Sequence, residues 1–207
     1  MDDDRLAWIY SATNPTELRE RYEVWAAEYD ADLDAMVWLA PQAGAARCHA
    51  WAPADARILD AGCGTGLVGA ALHALGQHTV VGFDLSPAML ARSADRGVYA
   101  ELVEGSLLAP LPFAAGSFDA VVSVGVFTYG HVGPEALAGL AAVVRTGGHV
   151  SITFRDDAID ALGYTAEINH LEQAGVWRLV ERTEPAPLIE EEGVGADMCV
   201  WTWEVLR

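Results

Sequence analysis

Between Ile58 and Gly66 the chain reads Ile58-Leu59-Asp60-Ala61-Gly62-Cys63-Gly64-Thr65-Gly66, an apolar run that breaks into three glycines at alternate positions. Glycine lets a backbone turn sharply and lets a ligand approach the main chain closely. The helix N-terminus that follows such a turn favours a negative group, a carboxylate or a phosphate. Eighteen residues after Gly66 stands Asp84, at the end of the next apolar run. A carboxylate there accepts hydrogen bonds from both hydroxyls of a ribose. Loop and acid together point to a nucleoside-containing cofactor.

Gly64-Thr65-Gly66-Leu67-Val68-Gly69 also fits the dinucleotide fingerprint G-x-G-x-x-G. Three features oppose a nicotinamide dinucleotide. Asp60 stands in the strand where dinucleotide folds carry an apolar residue, some fifty residues precede that strand, and no second mononucleotide half follows.

The elements that must position these residues are legible in the texture of the chain. Short runs rich in Val and Ile alternate with helical stretches from Arg57 onward, the pattern of a parallel sheet with helices on both faces. Strands are expected near Ile58–Ala61, Thr79–Phe83, Tyr99–Glu104, Phe118–Val124, His149–Phe154, Val176–Arg182 and Met198–Leu206. Helices are expected over Gly66–Leu75, Pro87–Arg96, Pro134–Arg145 and Tyr164–Ala174, with Gly76, Gly97 and Gly147-Gly148 ending three of them. The fold class is therefore α/β, a doubly wound, mostly parallel sheet of seven strands. Residues 51–207 form the cofactor-binding domain and residues 1–50 a helical lid upon it. Asn14 caps the first helix, with Pro15 at its first position. Leu18, Tyr22, Trp25, Tyr29 and Leu33 line one face, and Glu20, Glu23 and Glu28 the other. A weaker helix with a loop around Pro41 and Gly44 follows, and Glu184–Asp197 reads as an acidic loop.

Composition narrows the chemistry further. The 207 residues carry 12 basic and 30 acidic side chains, a formal net charge of −18, and every cation is Arg. Without Lys there is no Walker-type phosphate loop, no pyridoxal-phosphate Schiff base and no Ser-Lys hydrolase. The acid excess argues against nucleic acid and anionic membranes as partners. Cys48, Cys63 and Cys199 are dispersed and odd in number, which fits a reducing cytoplasm rather than a disulfide scaffold or a zinc site. The acidic start is the wrong charge for a signal peptide, and no uncharged stretch is long enough to span a bilayer.

Four motifs in order now resemble a known family, the class I S-adenosylmethionine-dependent methyltransferases. They are Leu59 to Gly66, Gly82-Phe83-Asp84-Leu85-Ser86-Pro87-Ala88-Met89-Leu90, the stretch Leu111 to Val121, and Arg145-Thr146-Gly147-Gly148. Tyr22 to Asp30 and Gly125 to Val132 look like the methyltransferase-like proteins named after the Williams–Beuren syndrome region. The resemblance implies S-adenosylmethionine as cofactor and roles for named positions. Gly62, Cys63, Gly64 and Gly66 would surround the methionyl part, with Asp60 orienting the loop. Asp84 would hold the ribose and Leu85 face the adenine, with Ser106 and Leu107 at its edge. Ser123, Val124 and Gly125 would face the methyl group, and Tyr22 and Tyr29 would cover the site.

The same resemblance makes the reaction an in-line, metal-independent displacement in which a base is optional. His131 is the candidate base and Tyr129 the second candidate. Arg155 and Trp177 are candidate walls of an acceptor pocket. No Pro-Pro-aromatic motif follows the fourth strand, no acid there suits a catechol-type metal, and no insertion builds a polymer-binding surface. The expected acceptor is thus a small molecule. Ser106 stands where many relatives carry an acid. That departure motivates one alternative, a non-catalytic protein that binds the same cofactor. The other alternative is a nicotinamide-dependent oxidoreductase.

Overall fold

A computed structural model describes residues 3–35, 38–77, 79–187 and 197–207. The strands β1 (Arg57–Ala61), β2 (Thr79–Asp84), β3 (Glu101–Glu104), β4 (Phe118–Phe127) and β5 (Val144–Arg155) run parallel to one another. They are followed by β6 (Trp177–Arg182), the two-residue β7 (Ala186–Pro187) and β8 (Asp197–Val205). The order is β3-β2-β1-β4-β5-β8-β6, with β8 antiparallel to β5 and β6, and β7 paired to β8. The strand order reverses between β1 and β4, and in an open α/β sheet the crevice for a ligand opens at the carboxyl ends of the strands at that reversal.

Helices cover both faces, so the central strands are apolar on both sides. In β1, Ile58 joins Val80 and Val122 on the face covered by α4 (Ala40–Trp51) and α5 (Leu67–Ala74). Leu59 joins Val81, Val121 and Ile152 on the face covered by α7 (Ala136–Val143) and α8 (Tyr164–Gln173). The latter core also holds Trp177 stacked on Trp203, with ring centroids 4.7 Å apart. The remaining crossover helix, α6 (Pro87–Arg96), starts at Ser86, whose hydroxyl accepts from the Met89 amide, and stops at Gly97 in the left-handed region.

Several elements differ from the sequence expectation. The first helix is split into α2 (Pro15–Trp25) and α3 (Tyr29–Ala35), preceded by an unexpected α1 (Asp3–Tyr10). The break folds Tyr29 back on Trp25, ring centroids 4.6 Å apart, while the Trp25 indole N–H donates to Asp32 at 2.7 Å. Pro41 and Gly44 lie within α4 rather than in a loop. Pro41 occupies the first turn, where its missing N–H costs nothing. Gly44 presses on β4, where a Cβ would fall 2.4 Å from Val124. Helix α7 ends at Val143, and Val144 already pairs with Phe118. Gly147-Gly148 therefore sits in a bulge of β5 that regains register at His149, not at a helix end. The third strand starts at Glu101, which frees Tyr99 to reach Asp60. In the expected acidic loop, Ala186–Pro187 is strand, and residues 188–196 lie outside those described.

Candidate active site

The glycine loop owes its shape to its glycines. Gly62, Gly64 and Gly66 all have positive φ, and Gly66 caps α5. At Gly62 a Cβ would meet Val126 at 2.3 Å, whereas Gly64 faces open space. The amides of Gly62 and Cys63 both donate to the Phe83 carbonyl, at 2.7 and 3.1 Å, which binds the loop to the end of β2.

Asp84 stands at that end. Its Oδ2 accepts the Gly64 amide at 2.8 Å and its Oδ1 the Ser86 amide at 2.9 Å. The two amides fix the carboxylate in place, and it keeps acceptor capacity beyond them. Burial pushes the Asp84 carboxyl above its ordinary value, and the amides of Ser86, Gly64 and Leu85 oppose that shift. This fixed acceptor, beside a backbone that glycine leaves uncovered, suits the hydroxyls of an adenosyl ribose.

A cleft open to solvent, about 740 Å³ when the solvent at its mouth is included, connects these groups. Gly62, Gly64, Asp84 and Leu85 form one wall, and Ser106 and Leu107 form the edge next to Phe83 and Met89. Val124 and Gly125 follow from β4, and Tyr22, Tyr29 and His131 complete the lining from the other side. The structure thus brings eleven of the sixteen residues expected to bind cofactor or act as base to one cavity.

The other five sit behind the lining. Asp60 is fully buried, its Oδ2 accepting from the Tyr99 hydroxyl at 2.6 Å while Oδ1 has no partner. Burial raises this carboxyl to about 7, against the hydrogen bond from Tyr99, which lowers it. The Tyr99 hydroxyl in turn accepts the Gly69 amide at 3.2 Å, so Asp60 reaches α5 through a side chain whose role no local motif reveals. Cys63 packs towards Ser93, and Gly66 shapes the turn. The Ser123 hydroxyl is spent on the Ala61 carbonyl at 2.7 Å, tying β4 to β1. The Tyr129 hydroxyl donates to the Asp157 carbonyl at 2.8 Å, away from the cavity. Trp177 is in the core, and the Arg155 guanidinium is paired with Asp157 and lies 5.5 Å from the Tyr10 ring centroid and 5.7 Å from that of Tyr129.

His131 is held at both ring nitrogens. Its Nδ1 lies 2.7 Å from the Tyr129 carbonyl, which can only accept, so Nδ1 carries the proton. Its Nε2 lies 2.6 Å from the Tyr22 hydroxyl and accepts from it. Burial lowers His131 to about 4, so the ring is neutral near neutrality. Burial also pushes Tyr22 well above its ordinary value.

Two acids of the N-terminal helices fasten them to the loops beneath. Glu23, read from the sequence as part of a solvent face, accepts from the Ser86 hydroxyl at 2.7 Å and the Ala88 amide at 3.2 Å. A carboxylate is well placed there, at the N-terminus of α6. Asp30 accepts from the Thr65 hydroxyl and from Arg96, each at 2.5 Å. Glu28 instead pairs with Arg5. No helix among the described residues is long and apolar enough to cross a membrane.

A family described as a methyltransferase domain matches residues 58–148, from β1 through the β5 bulge. Methyltransferase-like protein 27 of Homo sapiens is 39% identical over 165 residues, 75% of this chain and 66% of that protein. The 18S rRNA (guanine(1575)-N(7))-methyltransferase of Saccharomyces cerevisiae is 45% identical over 67 residues, 32% of this chain and 24% of that protein. Among solved structures, a TehB-like methyltransferase of Corynebacterium glutamicum shares the fold at a TM-score of 0.63, with 24% identity over 93% of this chain and 100% of that one. A chain of the complex between the Haloferax volcanii Trm112 methyltransferase activator and a methyltransferase does so at 0.65, with 19% identity over 90% and 98%.

These relatives correct the partner expectation. Net charge had argued against nucleic acid, and the missing motifs and insertions had pointed to a small-molecule acceptor, yet relatives include rRNA methyltransferases and a neighbour is in complex with an activator protein. Net charge sums a whole surface and carries no record of a local groove or of a partner that supplies the contacts. The dinucleotide alternative falls as well, since the matched domain includes both the glycine loop and Asp84. Fold, matched domain and relatives together make this chain a member of the class I S-adenosylmethionine-dependent methyltransferases.

Proposed function

We propose that the protein transfers a methyl group by in-line displacement, without a metal, to a small acceptor group. That group is either a free compound or one displayed by a larger partner. One observation carries the reading: Asp84, fixed by the Gly64 and Ser86 amides, shares a cleft with the Tyr22–His131 pair. When bound, S-adenosylmethionine supplies a methyl on a sulfonium already activated for displacement. What the chain must add is orientation, exclusion of water and a place for a proton.

Asp84 takes the ribose hydroxyls, and the loop glycines leave room for the methionyl chain. Leu85, Leu107 and Ser106 meet the base. Asp60 serves at one remove, holding the start of α5 through Tyr99. Tyr22 and Tyr29 line the cleft with aromatic rings, which attract a cationic sulfur. Helices α1 to α3 act as the cover, fastened by Glu23 and Asp30. Because Tyr22 occupies His131 Nε2, Tyr22 is the group that meets the acceptor. It receives the acceptor's proton at its oxygen as its own proton passes to His131. Tyr129 contributes its carbonyl, which sets the His131 tautomer. Three buried, free cysteines support a reducing, cytoplasm-like compartment for this reaction.

The test is a titration with S-adenosylhomocysteine followed by transfer of labelled methyl into separated pools of metabolites, RNA and protein. Asp84→Ala weakens binding by about 1–3 kcal/mol through the lost charge-assisted bonds. Unchanged affinity overturns the ribose assignment, and loss of transfer after chelation overturns the metal-independent step. Binding without label in any pool leaves the second reading, a non-catalytic cofactor-binding protein, for which Ser106 speaks. Its Oγ accepts the Leu108 amide at 3.2 Å and offers the base only a hydroxyl.

A further inference from the structure

We propose that Arg96 is a positioning residue for the cofactor: it sets the glycine loop from behind and makes the shape of that loop depend on Asp30 of the N-terminal cover. The inference rests on the methyl-transfer reading, which makes the cofactor the ligand of that loop.

Gly64 is the point of the loop that needs such support. It lines the cleft at a φ of +53, and a Cβ there would meet nothing within 4 Å. Packing therefore does not hold it, and glycine gives up more backbone freedom than any other residue when it is fixed. Hydrogen bonds take that part. The Gly64 amide goes to Asp84, and the Gly64 carbonyl accepts from the Ser93 hydroxyl at 2.7 Å. The next carbonyl, of Thr65, accepts from Arg96 Nε at 2.6 Å. Ser93 and Arg96 stand three residues apart near the end of α6, so one face of that helix holds both carbonyls. The Arg96 stem also crosses Gly66, where a Cβ would lie 3.0 Å from the Arg96 Cδ.

The cover reaches the same place. Arg96 Nη2 donates to one Asp30 oxygen and the Thr65 hydroxyl to the other, each at 2.5 Å. Loop, α6 and cover thus close a ring of hydrogen bonds through Thr65, Arg96 and Asp30. The guanidinium serves loop and cover at once with two N–H groups of one rigid plane. The other ties between α6 and the cover lack this property. Glu23 meets Ser86 and Ala88 at the helix start, and the exposed Arg92 donates to the Ala27 carbonyl at 3.3 Å. The Arg96 and Asp30 side chains are 27% and 41% exposed, so water competes for the pair, and the link between cover and loop belongs at the low end of coupling between sites, about fivefold.

The experiment is a titration of the full chain with S-adenosylhomocysteine, beside residue-resolved amide hydrogen exchange, on the unaltered protein and its variants. Arg96→Leu should weaken binding about tenfold and Asp30→Ala about fivefold. Because both act through one link, the double variant should fall within about twofold of Arg96→Leu. Arg92→Leu, which releases the cover at a tie away from the loop, should stay within about twofold of the unaltered chain. Without ligand, Asp30→Ala should quicken exchange of the Gly66 amide, which donates to the Cys63 carbonyl at 2.9 Å, by about threefold or more, and Arg92→Leu should not. Losses that multiply to about fiftyfold in the double variant, equal weakening by Arg92→Leu, unchanged binding after Asp30→Ala, or unchanged Gly66 exchange each overturn the proposal. Where Arg96→Leu fails to fold, Asp30→Ala set against Arg92→Leu decides the matter. Failure of the unaltered chain to bind S-adenosylhomocysteine sinks the methyl-transfer reading, while Gly66 exchange in Asp30→Ala still tells whether cover and loop are linked.

Discussion

The two rims of the main cleft are built by different means. On one rim, β1, the glycine loop and Asp84 are held by backbone: amides of Gly62, Cys63, Gly64 and Ser86 make the contacts. On the other, Tyr22, Tyr29 and His131 are held by side chains, and the Tyr22–His131 bond joins residues 109 positions apart. A backbone-built rim is stiff and depends on which residues lack a Cβ. A side-chain rim depends on a helix arriving from elsewhere in the chain. The first suits binding of an invariant cofactor, and the second suits control of water and protons at the transferring end.

That contrast can be broken most forcefully at Gly62. Gly62→Ala places a Cβ 2.3 Å from Val126 at a φ of +80. It should cost about 2–4 kcal/mol of stability, through overpacking added to backbone strain. It should also abolish measurable S-adenosylhomocysteine binding. A melting curve and a titration check it, and near-normal binding would mean that this rim is not backbone-determined.

Tyr22→Phe probes the opposite rim. The ring stays while His131 Nε2 loses its donor. Transfer should slow by about tenfold or more, the low end of general acid–base contributions or below. Affinity for S-adenosylhomocysteine should hold within about twofold, as the ring contact is kept. Equal losses of binding and rate would erase the distinction between the rims.

The gentlest probe is Asp60→Asn, behind the first rim. Burial raises this carboxyl to about 7 from an ordinary value near 4, so between those values the folded state holds the extra proton. Stability from this group is therefore present at low pH and lost as pH rises through about 7. Asn cannot ionise, so Asp60→Asn should raise the melting temperature at about pH 8 more than at about pH 5. His131 acts in the opposite sense. Its value is lowered to about 4, so its contribution falls as pH drops from about 6.5. Thermal melts across pH on both the unaltered chain and Asp60→Asn separate the two, and identical pH profiles would refute the Asp60 assignment.

The sequence made the sheet legible because both its faces are apolar, giving runs such as Val80-Val81 and Val121-Val122 that no exposed strand would carry. It misjudged Gly44 and Gly147-Gly148, where glycine signalled close packing and a bulge instead of a chain turn or a helix end. Tyr99 and Glu23 were invisible as parts of the site, because nothing nearby in the chain marks their partners Asp60 and Ser86.

By itself the sequence determined the strand–turn–helix with its positive-φ glycines and the acid that closes the next strand. Each is a local unit whose geometry follows from which residues can adopt it. Only the tertiary structure decided that Tyr22 meets His131, that Glu23 grips the start of α6, and that Asp30 reaches Thr65 and Arg96. Those contacts exist because the sheet fixes the carboxyl ends of its strands in one plane, and α2 and α3 pack across them. No spacing in the chain encodes a distance that arises only once that surface has formed.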